Sequence, residues 1–269
     1  MERFEDAARG WDPTAAPTDA IAAATAVLLR DHPDGVQVLM LRRNSKLAFV
    51  GGAWVFPGGR VDPEDINASS DRSASASDDA DSEGSRPDAA LFTIEAAMNA
   101  ARRETMEEAG LDLSDVSLST LSHWMPPAGT PRRFSTWFFV GIAPPGTITI
   151  DGGEIHDHMW TAPQVALERR DAGEVQLAPP TFVTLTSLSR FDGAKEALLA
   201  LMAEPVERFE TQILDEDGVL TAVWRGDEHY STESIDSPAA DGTSGAVGVV
   251  GARHRLRMAP GRWEYLRHG

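Results

Sequence analysis

The residues best equipped to do chemistry are three glutamates, Glu104, Glu107 and Glu108, in the stretch Arg103-Glu-Thr-Met-Glu-Glu-Ala-Gly. Their spacing is i, i+3, i+4. On a helix these positions share one face, with Cβ atoms ~5–6 Å apart, and like charges so placed repel. A hard divalent cation would compensate such a cluster; the other reading of the three residues is a solvated acidic helix face. Mg2+ and Mn2+ take carboxylate oxygens and share their coordination with phosphate and water, so the chemistry on offer is cation-assisted binding of a phosphate-bearing group. Arg103 neutralises part of the cluster and orients it by salt bridges. Upstream, Phe56-Pro-Gly-Gly59 supplies a turn whose two glycines let backbone approach a metal or a phosphate closely. Arg132 and Arg133 are candidates to meet substrate phosphates.

These residues need a scaffold. Residues 89–110 read as the carrier helix. Ile94, Ala97, Met98, Ala101 and Met106 recur near a period of 3.6, Asp88 or Thr93 is placed to cap the start, and Gly110 stops it. Residues 21–29 and 35–42 read as strands around Asp31-His-Pro-Asp-Gly35, and 53–56 as a third. Strand patterns return at 133–140 and 147–150. Helices are expected at 163–172, 180–189 and 194–202. Two hairpins follow, 209–214 with 219–224 and 253–257 with 262–266. Trp54, Trp124, Trp137 and Phe138 are assigned to the core. His123, His156 and His158 are not read as a zinc site.

Of the chain's 269 residues, 24 are Lys or Arg and 42 are Asp or Glu, giving a net charge of −18 with no cysteine. The missing cysteines exclude disulfide scaffolds, thiolate metal sites and a thiol nucleophile. The acidity argues against a nucleic-acid partner and against an anionic membrane surface. No signal segment or spanning run is visible, so a cytoplasmic protein is expected. Residues 64–88 carry eight acids against two arginines, with seven serines and no apolar period. They read as a disordered acidic insertion. The expected organisation is a flexible arm over 1–18, a main domain over 19–205 containing that insertion, and a C-terminal β-hairpin extension over 206–269 that packs on the main domain and is flexible at 227–247. The extension is placed to cover the site or to mediate a homodimer.

The helix ends as Arg103-Glu104-x-x-Glu107-Glu108-x-Gly110-Leu111, with Glu95 eight positions before Arg103 and Gly58-Gly59 upstream. This resembles the Nudix box, interrupted by the 64–88 insertion, with Ala89 at the box glycine's uninterrupted position and Thr105 at a hydrophobic one. The resemblance implies an α+β fold, a Nudix α/β/α sandwich with a mixed curved sheet, plus a C-terminal helical and β-hairpin extension. The implied activity is a metal-dependent diphosphatase, hydrolysing a nucleoside diphosphate linked to another group.

By that resemblance Glu104, Glu107 and Glu108 ligate Mg2+ or Mn2+ and serve catalysis, and the Gly58 carbonyl is an added ligand. Gly59 lies against the substrate. Glu95 and Glu154 are further catalytic carboxylates, either as bases or in support of the metal. The run Val55-Phe-Pro-Gly-Gly-Arg-Val-Asp62, a long insertion and Pro131-Arg-Arg-Phe resemble the coenzyme A diphosphatase branch. Leu39, Arg43, Gly52 and Phe56 match that branch's upstream signature, making Arg43 a substrate-binding candidate. Leu41, Asn44 and Ala48 depart from it, so dinucleotides and nucleotide sugars stay open as substrates. The alternative from another class is a Nudix-fold nucleotide-binding or regulatory module, against which the full set of three glutamates argues. A cysteine-dependent isomerase and a DNA glycosylase are disfavoured by the missing cysteine and by the acidity.

Overall fold

The computed structural model describes residues 18–44, 51–66, 91–130, 132–231 and 249–268. Strand β1 (Ala20–His32) turns at Pro33-Asp34 into β2 (Gly35–Arg43), with which it pairs antiparallel. Short β3 (Trp54–Val55) joins β2, and β4 (Gly58–Arg60) joins β1. Then come helix α1 (Ile94–Ala109) and strands β5 (Ser119–Met125), β6 (Arg133–Ile142) and β7 (Ile155–Thr161). Helices α2 (Pro163–Asp171), α3 (Pro179–Leu188) and α4 (Ala194–Ala203) precede β8 (Glu207–Glu210). The sheet order is β3-β2-β1-β6-β5-β8, with β7 also on β2. β1 runs parallel to β6 and β5 parallel to β8, so the sheet is mixed.

Alternation along β1 sorts the two cores. Ala22, Ala24, Ala26 and Leu28 face α1, whereas Val27 and Leu29 face the opposite layer. Against this alanine row α1 presents Ala96, Ala97, Ala100 and Ala101, all buried. Methyl groups on both sides let the helix lie close to the sheet, which brings its glutamates within reach of backbone. Thr93 caps α1 by accepting from the Ala96 N–H at 3.2 Å, and Gly110 ends it at φ 67°. Thr105, at a position where the resemblance expects an apolar residue, is fully buried and returns its hydroxyl to the Ala101 carbonyl at 2.7 Å.

The opposite core gathers Trp54, Phe56, Trp124, Phe182, Leu185, Leu188 and Phe209. A second, antiparallel sheet closes over it, made of β9 (Gln212–Glu216), β10 (Val219–Val223), β11 (Arg253–Ala259) and β12 (Arg262–His268) in the order β12-β11-β10-β9. Its Ala222, Leu256, Met258 and Trp263, with the adjoining Trp224, belong to the same apolar cluster as the main sheet. Trp124 stacks on Phe209 with ring centroids 3.7 Å apart and meets Trp224 edge-on. The C-terminal part is therefore one wall of the core.

Several expectations change. Residues 147–150 form no strand; they run along α1, with Ile148 and Ile150 in its core and the Thr149 N–H on the Ala109 carbonyl at 2.9 Å. Strand β5 was not anticipated, since Ser119-Thr-Leu-Ser-His lacks a strong apolar alternation. The expected strand 209–214 divides, as β8 pairs with β5 and β9 with β10. Residues 63–66, partly placed in the insertion, form a helical turn with Asp65 buried. The expected arm at 1–17 and the insertion at 67–88 lie outside the described residues, as do 232–247 of the second segment expected to be flexible. At 227–231 that second segment is well anchored. Asp227 has no exposed surface and takes Arg255 Nε at 2.7 Å and Nη2 at 2.5 Å, plus the backbone N–H of His229 and of His254. Among the described residues no helix is long and apolar enough to cross a membrane.

Candidate active site

The β3–β4 turn is where the chain meets the glutamates of α1. Gly58 pairs with Thr25 and Gly59 with Ala24 on β1, beneath the helix. The Gly58 N–H donates to Glu108 Oε2 at 2.9 Å. A Cβ on Gly59 would lie 2.3 Å from the Glu104 carboxyl carbon, so only glycine fits there without moving that side chain. A Cβ on Gly58 would strike the Ala24 carbonyl at 2.3 Å and Thr25 Cα at 2.7 Å.

Arg103 organises the outer side of the cluster, and its five N–H donors are all in use. Nε and Nη2 grip Asp65 at 3.1 and 3.0 Å, and Nη2 also donates to the Arg60 carbonyl at 2.9 Å. Nη1 reaches Glu104 Oε1 at 3.0 Å and both Glu107 oxygens at 3.4 Å. Asp65 is held in turn, accepting the Asp62 N–H at 2.8 Å and offering its own carbonyl to Asn99 Nδ2 at 2.9 Å. In the sequence Asp65 is one acid in a polar stretch. The signal available was its place six residues after Gly59, ahead of the loss of apolar pattern.

Burial pushes the Glu108 carboxyl up to about 8, opposed by the Gly58 N–H and reinforced by the charge of Glu104. Burial also raises Glu104, offset by Arg103 and reinforced by Glu107 and Asp62. For Arg103, burial works against the charge, but contacts with Asp65 and Glu104 outweigh it and hold the guanidinium more firmly protonated. Glu107 is mostly exposed.

A second group of residues arrives from the β2–β7 edge. Arg43 Nη2 stands 4.0 Å from Glu154 Oε2, and both charges act on Glu108. Arg43 Nε is buried without a hydrogen-bond partner among the described residues. Glu154 thus joins Glu108 and Arg43, while Glu95 does not. Glu95 is exposed in the first turn of α1, nine residues or roughly 13 Å up the helix from Glu104. Arg132 and Arg133 also stand apart. Arg133 opposes Ala20, four positions or roughly 13 Å along β1 from Ala24, and donates to the Thr18 and Pro126 carbonyls at 3.4 Å.

Three acids within a single cation's coordination sphere are not found among the described residues, because Arg103 Nη1 lies between Glu104 and Glu107. The donor set nonetheless fits a hard divalent cation. Glu108 is a buried carboxylate with no basic side chain at ion-pair distance among the described residues, Glu104 lies beside it, and the glycine turn brings backbone against both. The side chains able to hold the ion are Glu104 and Glu108, with Glu107 one helical turn away.

Residues 93–180 match the NUDIX domain family. Over that stretch the chain is similar to a Nudix domain. It is 26% identical over 169 residues to nudix hydrolase 7 of Caenorhabditis elegans, covering 57% of this chain and 56% of that protein. It is 30% identical over 124 residues to the acyl-coenzyme A diphosphatase NUDT19 of Homo sapiens, covering 44% of this chain and 33% of the human one. The chain thus spans about half the length of the first relative and a third of the second. Among solved structures, a NUDIX hydrolase from Alicyclobacillus acidocaldarius superposes with a TM-score of 0.55 at 25% identity, over 70% of this chain and 99% of that one. The α+β sandwich with a mixed sheet and an added C-terminal sheet is thereby that of a Nudix fold.

Proposed function

We propose that the protein is a metal-dependent hydrolase of the diphosphate linkage in a nucleoside diphosphate joined to another group. The observation that carries this is the seating of Gly58 and Gly59 directly against Glu108 and Glu104. That arrangement puts two carboxylates and a turn of exposed backbone around one point. A bound Mg2+ or Mn2+ supplies charge neutralisation of the diphosphate and activation of water.

The chain's own residues do the rest. Glu108 and Glu104 would hold the ion, whose charge would favour the ionised form of both against the burial that raises them. Arg103, pinned by Asp65, fixes the Glu104 carboxylate and keeps Glu107 nearby. Arg43, whose Nη2 stands 4.0 Å from Glu154, offers that end of its guanidinium to the substrate phosphates. Glu154, largely exposed beside Arg43, accepts the proton of the attacking water. Positioning and electrostatics suffice for attack at phosphorus, so no covalent nucleophile is required.

Coenzyme A or an acyl-CoA is the first substrate to offer, since the human relative is named for that activity. NADH, ADP-ribose, dinucleoside polyphosphates and nucleotide sugars complete the screen. With Mn2+ or Mg2+ present, one of these is turned over, activity vanishes with chelator, and Glu108→Gln loses ~10²-fold or more. Full activity of Glu108→Gln, or turnover without metal, refutes the mechanism. A wild-type chain that binds nucleotide but hydrolyses nothing is a regulatory module instead.

A further inference from the structure

The β2–β7 edge contains more polar engineering than strand pairing needs. Leu41 opposes His158 and Arg42 opposes Asp157, yet Arg43 opposes Ile155, so the register skips His156. A bulge of this kind re-aims the side chains that follow it. Here it turns Ile155 into the α1 core, where it is fully buried, and carries Glu154 to the level of Arg43 and Asn44. The turn 151–154 is exposed throughout and has no apolar anchor. Two side chains hold it instead. The Asp151 carboxylate accepts the N–H of Gly153 at 3.1 Å, of Glu154 at 2.8 Å and of Ile155 at 2.9 Å. Those bonds keep the Asp151 carboxyl below its ordinary range despite the cost of burial. Asn44 closes the other side, donating its backbone N–H to the Glu154 carbonyl at 2.7 Å and Nδ2 to the Gly153 carbonyl at 2.9 Å.

We infer that Asn44 and Asp151 are positioning residues for Glu154, clamping both sides of its peptide so that the carboxylate stands opposite Arg43 and next to Glu108. The inference rests on the proposed role of Glu154 in hydrolysis. It gives a purpose to Asn44 and to Asp151, neither of which reaches the reacting atoms. A clamp of this kind raises kcat by holding the proton acceptor in place and leaves substrate affinity almost untouched.

The test is a double-mutant cycle on the full chain, with coenzyme A and ADP-ribose as substrates and Mn2+ present. Asn44→Ala and Asp151→Ala each lower kcat by ~10- to 100-fold with KM within about threefold, the loss that follows a misplacement of ~1 Å. In the Glu154→Gln background the same substitutions cost less than about twofold, because groups acting as a unit are not additive. Melting temperatures report the fold of every variant alongside. Equal losses in both backgrounds, or an unchanged kcat in Asn44→Ala and Asp151→Ala while Glu154→Gln is impaired, overturn the clamp and leave the role of Glu154 intact. An unimpaired Glu154→Gln removes the role of Glu154 and the clamp with it, as does a wild-type chain inactive on every substrate of the screen.

Discussion

Substituting Gly59 with Ala separates fold from chemistry. The added methyl carbon would lie 2.3 Å from the Glu104 carboxyl carbon and Oε1 and 2.6 Å from Oε2. Comfortable contacts lie near ~3.5 Å, so the carboxylate must retreat by ~1 Å. It cannot retreat freely, because Arg103 holds it at 3.0 Å and is itself pinned by Asp65 and the Arg60 carbonyl. The obstacle is the far end of a flexible side chain, so the fold pays only an off-rotamer cost of about 0.5–1.5 kcal/mol. A ~1 Å displacement of a group at the reacting centre costs ~10²-fold in rate. Gly59→Ala is therefore expected to keep its melting temperature within a few degrees and lose ~10²-fold in kcat/KM. The assay is phosphate release from the best substrate under Mn2+, beside thermal melting. Gly58→Ala is the contrast, since its methyl meets backbone at Ala24 and Thr25 and must cost stability first, about 1–3 kcal/mol. Activity of Gly59→Ala within threefold of wild type would refute the placement of catalysis at Glu104.

Further predictions concern charge. In the metal-free chain the folded Glu108 carboxyl titrates near 8, above its ordinary value, so its contribution to stability is complete below that value and fades as pH rises through about 8. Melting curves of wild type and Glu108→Gln should thus converge near pH 5 and separate by pH 8, with wild type less stable and Mn2+ closing the gap. Parallel curves would refute the burial argument. Asp65→Ala frees Arg103 to settle onto the glutamates, so half-saturation by Mn2+, followed by its electron-spin signal, should shift upward ~10-fold. An unchanged Mn2+ titration would show that Arg103 is held without Asp65. Asp227→Ala strips the buried Arg255 of its closest carboxylate and leaves it only Glu216, a loss of about 3 kcal/mol. That is expected to lower the melting temperature by roughly 10 °C while activity at low temperature persists, and a melting temperature within 2–3 °C of wild type would mean that the C-terminal sheet does not depend on this pair.

Much of this protein is legible in its residues alone. The period of α1, the Thr93 and Gly110 caps and the i, i+3, i+4 glutamates are local facts, set by backbone geometry within a few turns, and the structure keeps them. So are the three later helices and the hairpin over Pro260-Gly261, whose signals are short-range. Tertiary structure alone decides which distant residues meet. The spacing that suggests Glu95 measures distance along the chain, whereas Asp65 reaches Arg103 across 38 positions. Glu154 comes to Arg43 through a one-residue skip in register, which no alternation pattern announces. Residues 147–150 have the apolar alternation of a strand but find their partner in the helix. The 206–269 segment reads as a hairpin extension packed on the main domain, but only the structure shows which residues make the packing: Trp224, Leu256 and Trp263 join a core begun at Val27. Helix, cap and charge cluster follow from neighbours in sequence; the site follows from strand register and helix approach, which are set only when the whole sheet has closed.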